Sequence, residues 1–138
     1  MPNVPFIYQT ARTEPTNENP SGQPIGQALA MYGEFGATGY IKAEDGDTGN
    51  QTVAVSTNQD YSIENVPAEY NGVATTYQWS KVDTTTATTL TNATSRTCNL
   101  AFNGTAGSSV LTCTITNAEF SDVDGSDEKA FSITITAE

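Results

Sequence analysis

Val110-Leu111-Thr112-Cys113-Thr114-Ile115-Thr116 alternates apolar and polar side chains without a break. Tyr77-Gln78-Trp79-Ser80-Lys81 before it and Ala130-Phe131-Ser132-Ile133-Thr134-Ile135-Thr136 after it do the same. Successive side chains of a strand point to opposite faces, so period two means one buried face and one wet face. Thr97-Cys98-Asn99-Leu100 adds a fourth such segment. Working outward, strands are expected near 52–56, 61–66, 74–81, 90, 97–102, 110–117 and 130–136. Asn71-Gly72, Asn103-Gly104 and Asp124-Gly125 are turn signals in the gaps between them. About seven short strands punctuated by turns predict an all-β fold of the sandwich kind.

The first fifty residues read differently. Five of the six prolines, Pro2, Pro5, Pro15, Pro20 and Pro24, fall there, and residues 13–22 carry no hydropathy period. Such proline density forbids an interior helix or strand, so residues 1–50 are expected as an extended Pro/Gly-rich arm and 51–138 as the folded domain. The arm's apolar residues come in two groups. Val4, Phe6, Ile7 and Tyr8 open it; Ile25, Leu29, Met31, Tyr32, Phe35 and Tyr40 follow. Two readings stand open for it, a disordered leader or an arm that packs on its own domain or on a neighbouring subunit. Gly26, Gly33, Gly36 and Gly39 bracket 27–32 too closely for a long helix.

Charge removes whole classes of function. The 138-residue chain carries sixteen acidic and five basic residues, a formal net charge of −11. A phosphate backbone or an anionic membrane surface would be repelled, so neither nucleic acid nor membrane is expected as a partner. No apolar run approaches the roughly 20 residues of a spanning helix. The first residues have neither a basic segment nor an apolar stretch of secretory type, so folding in a cytosol is expected. On that reading the Asn-x-Thr triplets at Asn50, Asn92 and Asn103 are ordinary turn and strand residues.

The chain has no histidine, which removes Ser-His, Cys-His and His-metal chemistry together. Cys98 and Cys113 both sit at the apolar phase of their strands, where two buried thiols and an inter-strand bridge are rival readings. No catalytic residue and no cofactor is expected. The acidic stretch Asp122-Val123-Asp124-Gly125-Ser126-Asp127-Glu128 offers oxygen ligands beside a glycine turn. Asp122, Asp124, Asp127 and Glu128 form a weak candidate Ca²⁺ loop, set against a solvated hairpin loop, and their spacing is not that of an EF-hand. Glu44, Asp45 and Asp47 invite the same comparison. Paired carboxylates could also serve glycoside hydrolysis, which calls for an aromatic-lined cleft, while the sole tryptophan reads as core. Tyr61 and Tyr70 have two open readings, as tyrosines exposed against a glycan or as packing residues.

Over roughly 50–138 the pattern resembles the bacterial and phage immunoglobulin-like (Ig-like) domains that decorate virion surfaces. Tyr77-Gln78-Trp79 carries the likeness on the core-tryptophan strand and Leu100 on the next inward strand. Leu111-Thr112-Cys113-Thr114-Ile115 and Phe131-Ser132-Ile133-Thr134-Ile135 carry it on the last two. Two departures are visible: Leu111 stands where a tyrosine corner would begin, and no cysteine precedes Trp79, leaving Ile63 or Val66 to fill that place. The resemblance implies an immunoglobulin-like β-sandwich with an N-terminal arm. It also implies a stand-alone bacteriophage capsid decoration protein, a structural viral protein of the capsid surface made in the host cytoplasm. The partner implied is the major capsid protein, gripped by Phe6, Ile7, Tyr8, Ile25, Leu29, Met31 and Tyr32, with homo-oligomers and weak host-glycan contact as further expectations. A tail or fibre accessory protein, or a glycan-binding adhesin module, is the other reading of the same fold.

Overall fold

The computed structural model describes residues 36–120 and 127–138, and over them the chain is all-β. Ten strands follow in order: β1 (Tyr40–Ala43), β2 (Gln51–Val53), β3 (Asn58–Glu64), β4 (Glu69–Tyr70), β5 (Val73–Ala74), β6 (Thr76–Thr84), β7 (Thr88–Thr91), β8 (Thr97–Phe102), β9 (Gly107–Thr116) and β10 (Glu128–Ala137). One four-stranded sheet runs β1-β3-β8-β7 and the other β2-β10-β9-β6, with β4-β5 as a separate hairpin. All pairings are antiparallel except that of β2 with β10.

Period two decides which face is dry. Ser109, Leu111, Cys113 and Ile115 of β9 point inward, as do Ile133, Ile135 and Ala137 of β10 and Trp79 of β6. They meet Ile41 and Ala43 of β1, Tyr61 and Ile63 of β3, and Cys98, Leu100 and Phe102 of β8 in a single core. Ile63 and Val66, either of which could replace the missing cysteine, are both buried in it. The strands expected near 52–56, 61–66, 74–81, 90, 97–102, 110–117 and 130–136 correspond to β2, β3, β6, β7, β8, β9 and β10. Two features differ. Tyr40–Ala43, inside the stretch expected as arm, pairs with Glu64–Tyr61 of β3, because Ile41 and Ala43 reach the core from that register. The Asn71-Gly72 turn, with φ of +52° and +84°, closes its own small hairpin rather than leading straight into β6.

The two large sheets are tied together by polar as well as apolar contacts. The Trp79 indole Nε1 donates to the Ser95 carbonyl at 2.7 Å, and its backbone N–H donates to Ala93 O at 2.7 Å. Both acceptors belong to the connection between β7 and β8, in the opposite sheet. Gln59 of β3 donates to Gln51 Oε1 of β2 at 2.9 Å and to Tyr61 Oη at 2.7 Å.

Asp83 on β6 makes a third tie. It accepts from Ser109 Oγ at 2.7 Å, Thr88 Oγ1 at 2.8 Å, Thr88 N at 2.9 Å and Lys81 Nζ at 2.7 Å. Lys81 also donates to the Thr88 carbonyl at 2.7 Å, so the pair binds β7 from two sides. Burial alone would raise the Asp83 pKa, but the Lys81 ammonium and the Ser109 and Thr88 donors outweigh it and hold the carboxyl at about 2. The folded value lies below the ordinary 3.8, so the clasp stabilises above pH ~4 and its contribution is lost as pH falls from there towards 2. Asp83→Asn is expected to lower stability at pH 7 by about 1–2 kcal/mol. In urea titrations the native chain should lose that margin between pH ~4 and ~2, whereas the variant's stability should vary less over the same window.

Candidate functional site

The strand registers give the molecule two poles. At one, Gly36 leads into β1 beside the turn Asn65–Pro67, the β4-β5 hairpin, a 3₁₀ turn (Ala118–Phe120) and Asp127. At the other lie the 44–50 loop, the turns after β2, β6 and β8, and Glu138, whose N–H donates to Val53 O at 3.0 Å. The segment 1–35 therefore joins the described domain at the first pole.

Close approach, not helix breaking, is what glycine does there. A Cβ on Gly39 would lie 2.7 Å from both Phe131 Cζ and Val66 Cγ2; one on Gly36, at φ +72°, would lie 3.0 Å from Ile115 Cδ1. The two glycines let the backbone lie directly on core side chains. Between them and β3, Thr38 and Asn65 bond each other reciprocally: Asn65 Nδ2 to Thr38 O at 3.1 Å and Thr38 Oγ1 to Asn65 O at 3.3 Å. An open depression of about 290 Å³ is lined by Thr38, Asn65, Val66 and Pro67.

Asn117 organises the rest of this pole. Its Nδ2 donates to Val73 O at 2.9 Å and Thr75 Oγ1 at 3.1 Å, and its Oδ1 accepts from Glu119 N at 2.9 Å. Its backbone N–H donates to Asp127 O at 2.8 Å, so this one buried residue ties together the hairpin, the 3₁₀ turn and Asp127. Tyr70 and Phe120 pack edge to face beside it at 4.4 Å between ring centres.

The arm residues Phe6, Ile7, Tyr8, Ile25, Leu29, Met31 and Tyr32 lie outside the described residues, as do Asp122 and Asp124 of the acidic loop. Of that loop's other two acids, Asp127 holds Asn117 through its carbonyl and Glu128 opens β10. Among the described residues no three His, Cys, Asp or Glu side chains are grouped to hold a metal ion. Glu44, Asp45 and Asp47 shape their own loop instead, with Asp45 Oδ1 accepting from Asp47 N at 3.0 Å and Glu44 Oε1 from Asp60 N at 2.7 Å.

Tyr61 and Tyr70 are not exposed platforms. They are 1 % and 7 % accessible, because Tyr61 shares the inward phase of Ile63 and Tyr70 is folded under the hairpin. Burial pushes the Tyr61 phenol up to about 12, against the lowering effect of its Gln59 bond. Cys98 and Cys113 are free, buried thiols, each pushed up to about 12, chiefly by burial. Neither is poised as a nucleophile, since burial disfavours the thiolate that would attack.

No protein-family model matches the chain, and no characterised protein sequence matches it. Among solved structures it is similar to a nucleoside hydrolase-related hypothetical protein from Saccharophagus degradans that is associated with carbohydrate metabolism. The identity is 12 % and the TM-score 0.44, over 72 % of this chain and 25 % of that one. The chain thus spans about a quarter of that protein's length, and a likeness this distant carries no functional argument.

Two outcomes are expected. Gly39→Val should cost about 2–3 kcal/mol, read as a fall in thermal midpoint, because the new side chain must displace both Phe131 and Val66 from their present packing. Both thiols should resist an aromatic disulfide reagent at pH 8 while the chain is folded and react fully in denaturant.

Proposed function

We propose that this chain is a structural protein of a bacteriophage virion surface, an immunoglobulin-like sandwich fixed to the major capsid protein through its N-terminal segment. Sheet order supports the fold reading. β1-β3-β8-β7 and β2-β10-β9-β6 follow the A-B-E-D and A′-G-F-C arrangement of such sandwiches, with the buried Trp79 on the C position and Cys113 on the F position.

The observation that carries the functional reading is polarity. Residues 1–35, with their grouped apolar side chains, join at one pole, and the 44–50 loop and Glu138 stand at the other. A domain attached at its first pole would project the second outward. Extended segments suit attachment across subunit junctions, because main-chain hydrogen bonds add residue by residue while apolar side chains fill grooves. The stabilisation is then a binding term that exists only in the assembled particle.

Co-sedimentation with undecorated capsids tests this. The full chain is expected to bind saturably, and a chain beginning at Gly36, which keeps β1 and its core contacts, is expected to stay in solution with its thermal midpoint nearly unchanged. Equal binding by both chains would overturn the role of the arm. Binding by neither would move the chain to a tail or fibre position.

A further inference from the structure

The two outer faces of this molecule differ in charge. On β6, β9 and β10 the outward positions are the even-numbered residues 76–84, 108–116 and 128–136, and only Glu128, at one corner, is ionisable. The rows at its centre read Ser80-Thr112-Ser132 and Val82-Val110-Thr134 across the register. The outer face of the other sheet carries Lys42, Asp60 and Glu64. On a chain of net charge −11, a whole sheet face almost without charge is the exception.

We propose that the outer face of the β6-β9-β10 sheet is a self-association surface, which takes the same face of a second copy of this chain. Three observations select that occupant. A two-fold interface sets each side chain against a copy of its own surroundings, so an acidic face would repel itself while a hydroxyl face would not. Each Ser or Thr hydroxyl can both donate and accept, as the single 2.7 Å bond between Thr112 and Ser132 illustrates, where either hydroxyl can be the donor, and such a surface is its own complement. Val82 and Val110, 67 % and 37 % exposed, are cross-strand partners on this face, and burying them against a copy needs no ionic desolvation. A basic partner, by contrast, would be drawn to the acidic surfaces and not here.

The size of the face sets the strength. Three strands about 4.8 Å apart and about 3.3 Å per residue make a patch of roughly 15 by 25 Å. That is on the order of 400 Å² per copy, about half of what a standard stable interface buries. The association is therefore weak and reversible, and becomes substantial where copies are held side by side. It does not depend on the N-terminal segment.

Sedimentation velocity of the full chain from about 10 μM to about 1 mM tests the proposal. The expected result is a monomer-to-dimer shift across that range, strengthened by salt, because screening relieves repulsion between the acidic chains. Val82→Glu and, separately, Ser132→Glu should each weaken the dimer about tenfold or more with unchanged thermal midpoints, whereas Thr89→Glu on the opposite sheet should not. A monomer at every concentration would overturn the proposal. So would a dimer indifferent to both substitutions, or one weakened by salt. If the chain stays monomeric and Val82→Glu instead abolishes capsid binding, the face belongs to a different partner.

Discussion

The fold depends on how the edge of one sheet is closed against the other, and Trp79 does most of that. A two-sheet core needs more than apolar area, because area is indifferent to sliding, whereas a directed hydrogen bond is not. Trp79 supplies both from one residue, with a buried ring and two 2.7 Å bonds to Ala93 and Ser95 in the connection of the facing sheet. Truncating a buried tryptophan typically costs about 3–5 kcal/mol, a large share of a domain's total stability. Four residues along the same strand, the Asp83 clasp repeats the tie to β7 in ionic form. β6 would otherwise be a long edge strand with free main-chain groups, the usual site of unwanted pairing. The other edges, β1, β2 and β7, are three or four residues long and offer little template.

Much of this was legible in local pattern. The phase of Leu111, Cys113 and Ile115 gives the buried face of β9, and the same rule puts Cys98 and Leu100 inside. It also puts Tyr61 inside, two residues before Ile63. Of the two readings open for Tyr61, exposed or packed, that phase favours the packed one. β1 was hidden for a physical reason: Tyr40-Ile41-Lys42-Ala43 is four residues long and becomes a strand only through its pairing with Tyr61–Glu64 of β3, far along the chain. The pole where the chain enters was hidden for the same kind of reason. Gly36 and Gly39 read as breakers, and only the distant Ile115, Val66 and Phe131 explain why no side chain fits there. Asn117 looked like the end of a strand, and its partners at Val73, Thr75 and Asp127 are all long-range or across a loop.

The charge pattern follows from the same division of faces. The core takes alternate positions, which leaves the outward ones to set solubility, and here most are Thr or Ser. β-branched threonine suits a pleated surface and stays wetted without charge. Acidic residues then gather in the loops and on the β1-β3-β8-β7 side, where Glu64 also holds Arg96 at 2.9 Å. Exposed ion pairs of that sort contribute little to stability. Net charge keeps molecules apart in solution, and the neutral sheet is where that restraint is weakest.

Cys98 and Cys113 bear on how such a domain holds together without a covalent staple. Both are fully buried, one on each sheet, with Cys98 beside Tyr61 and Cys113 beside Trp79 in the register. Acting as small apolar side chains, they fill core space beside the two largest buried rings, one each. A bridge across so short a loop would have constrained the unfolded chain by about 3 kcal/mol. The fold reaches its single core without that constraint, through the Trp79, Gln59 and Asp83 ties. Its stability should therefore respond to acid, which protonates Asp83, far more than to reductant, which finds no bond to break.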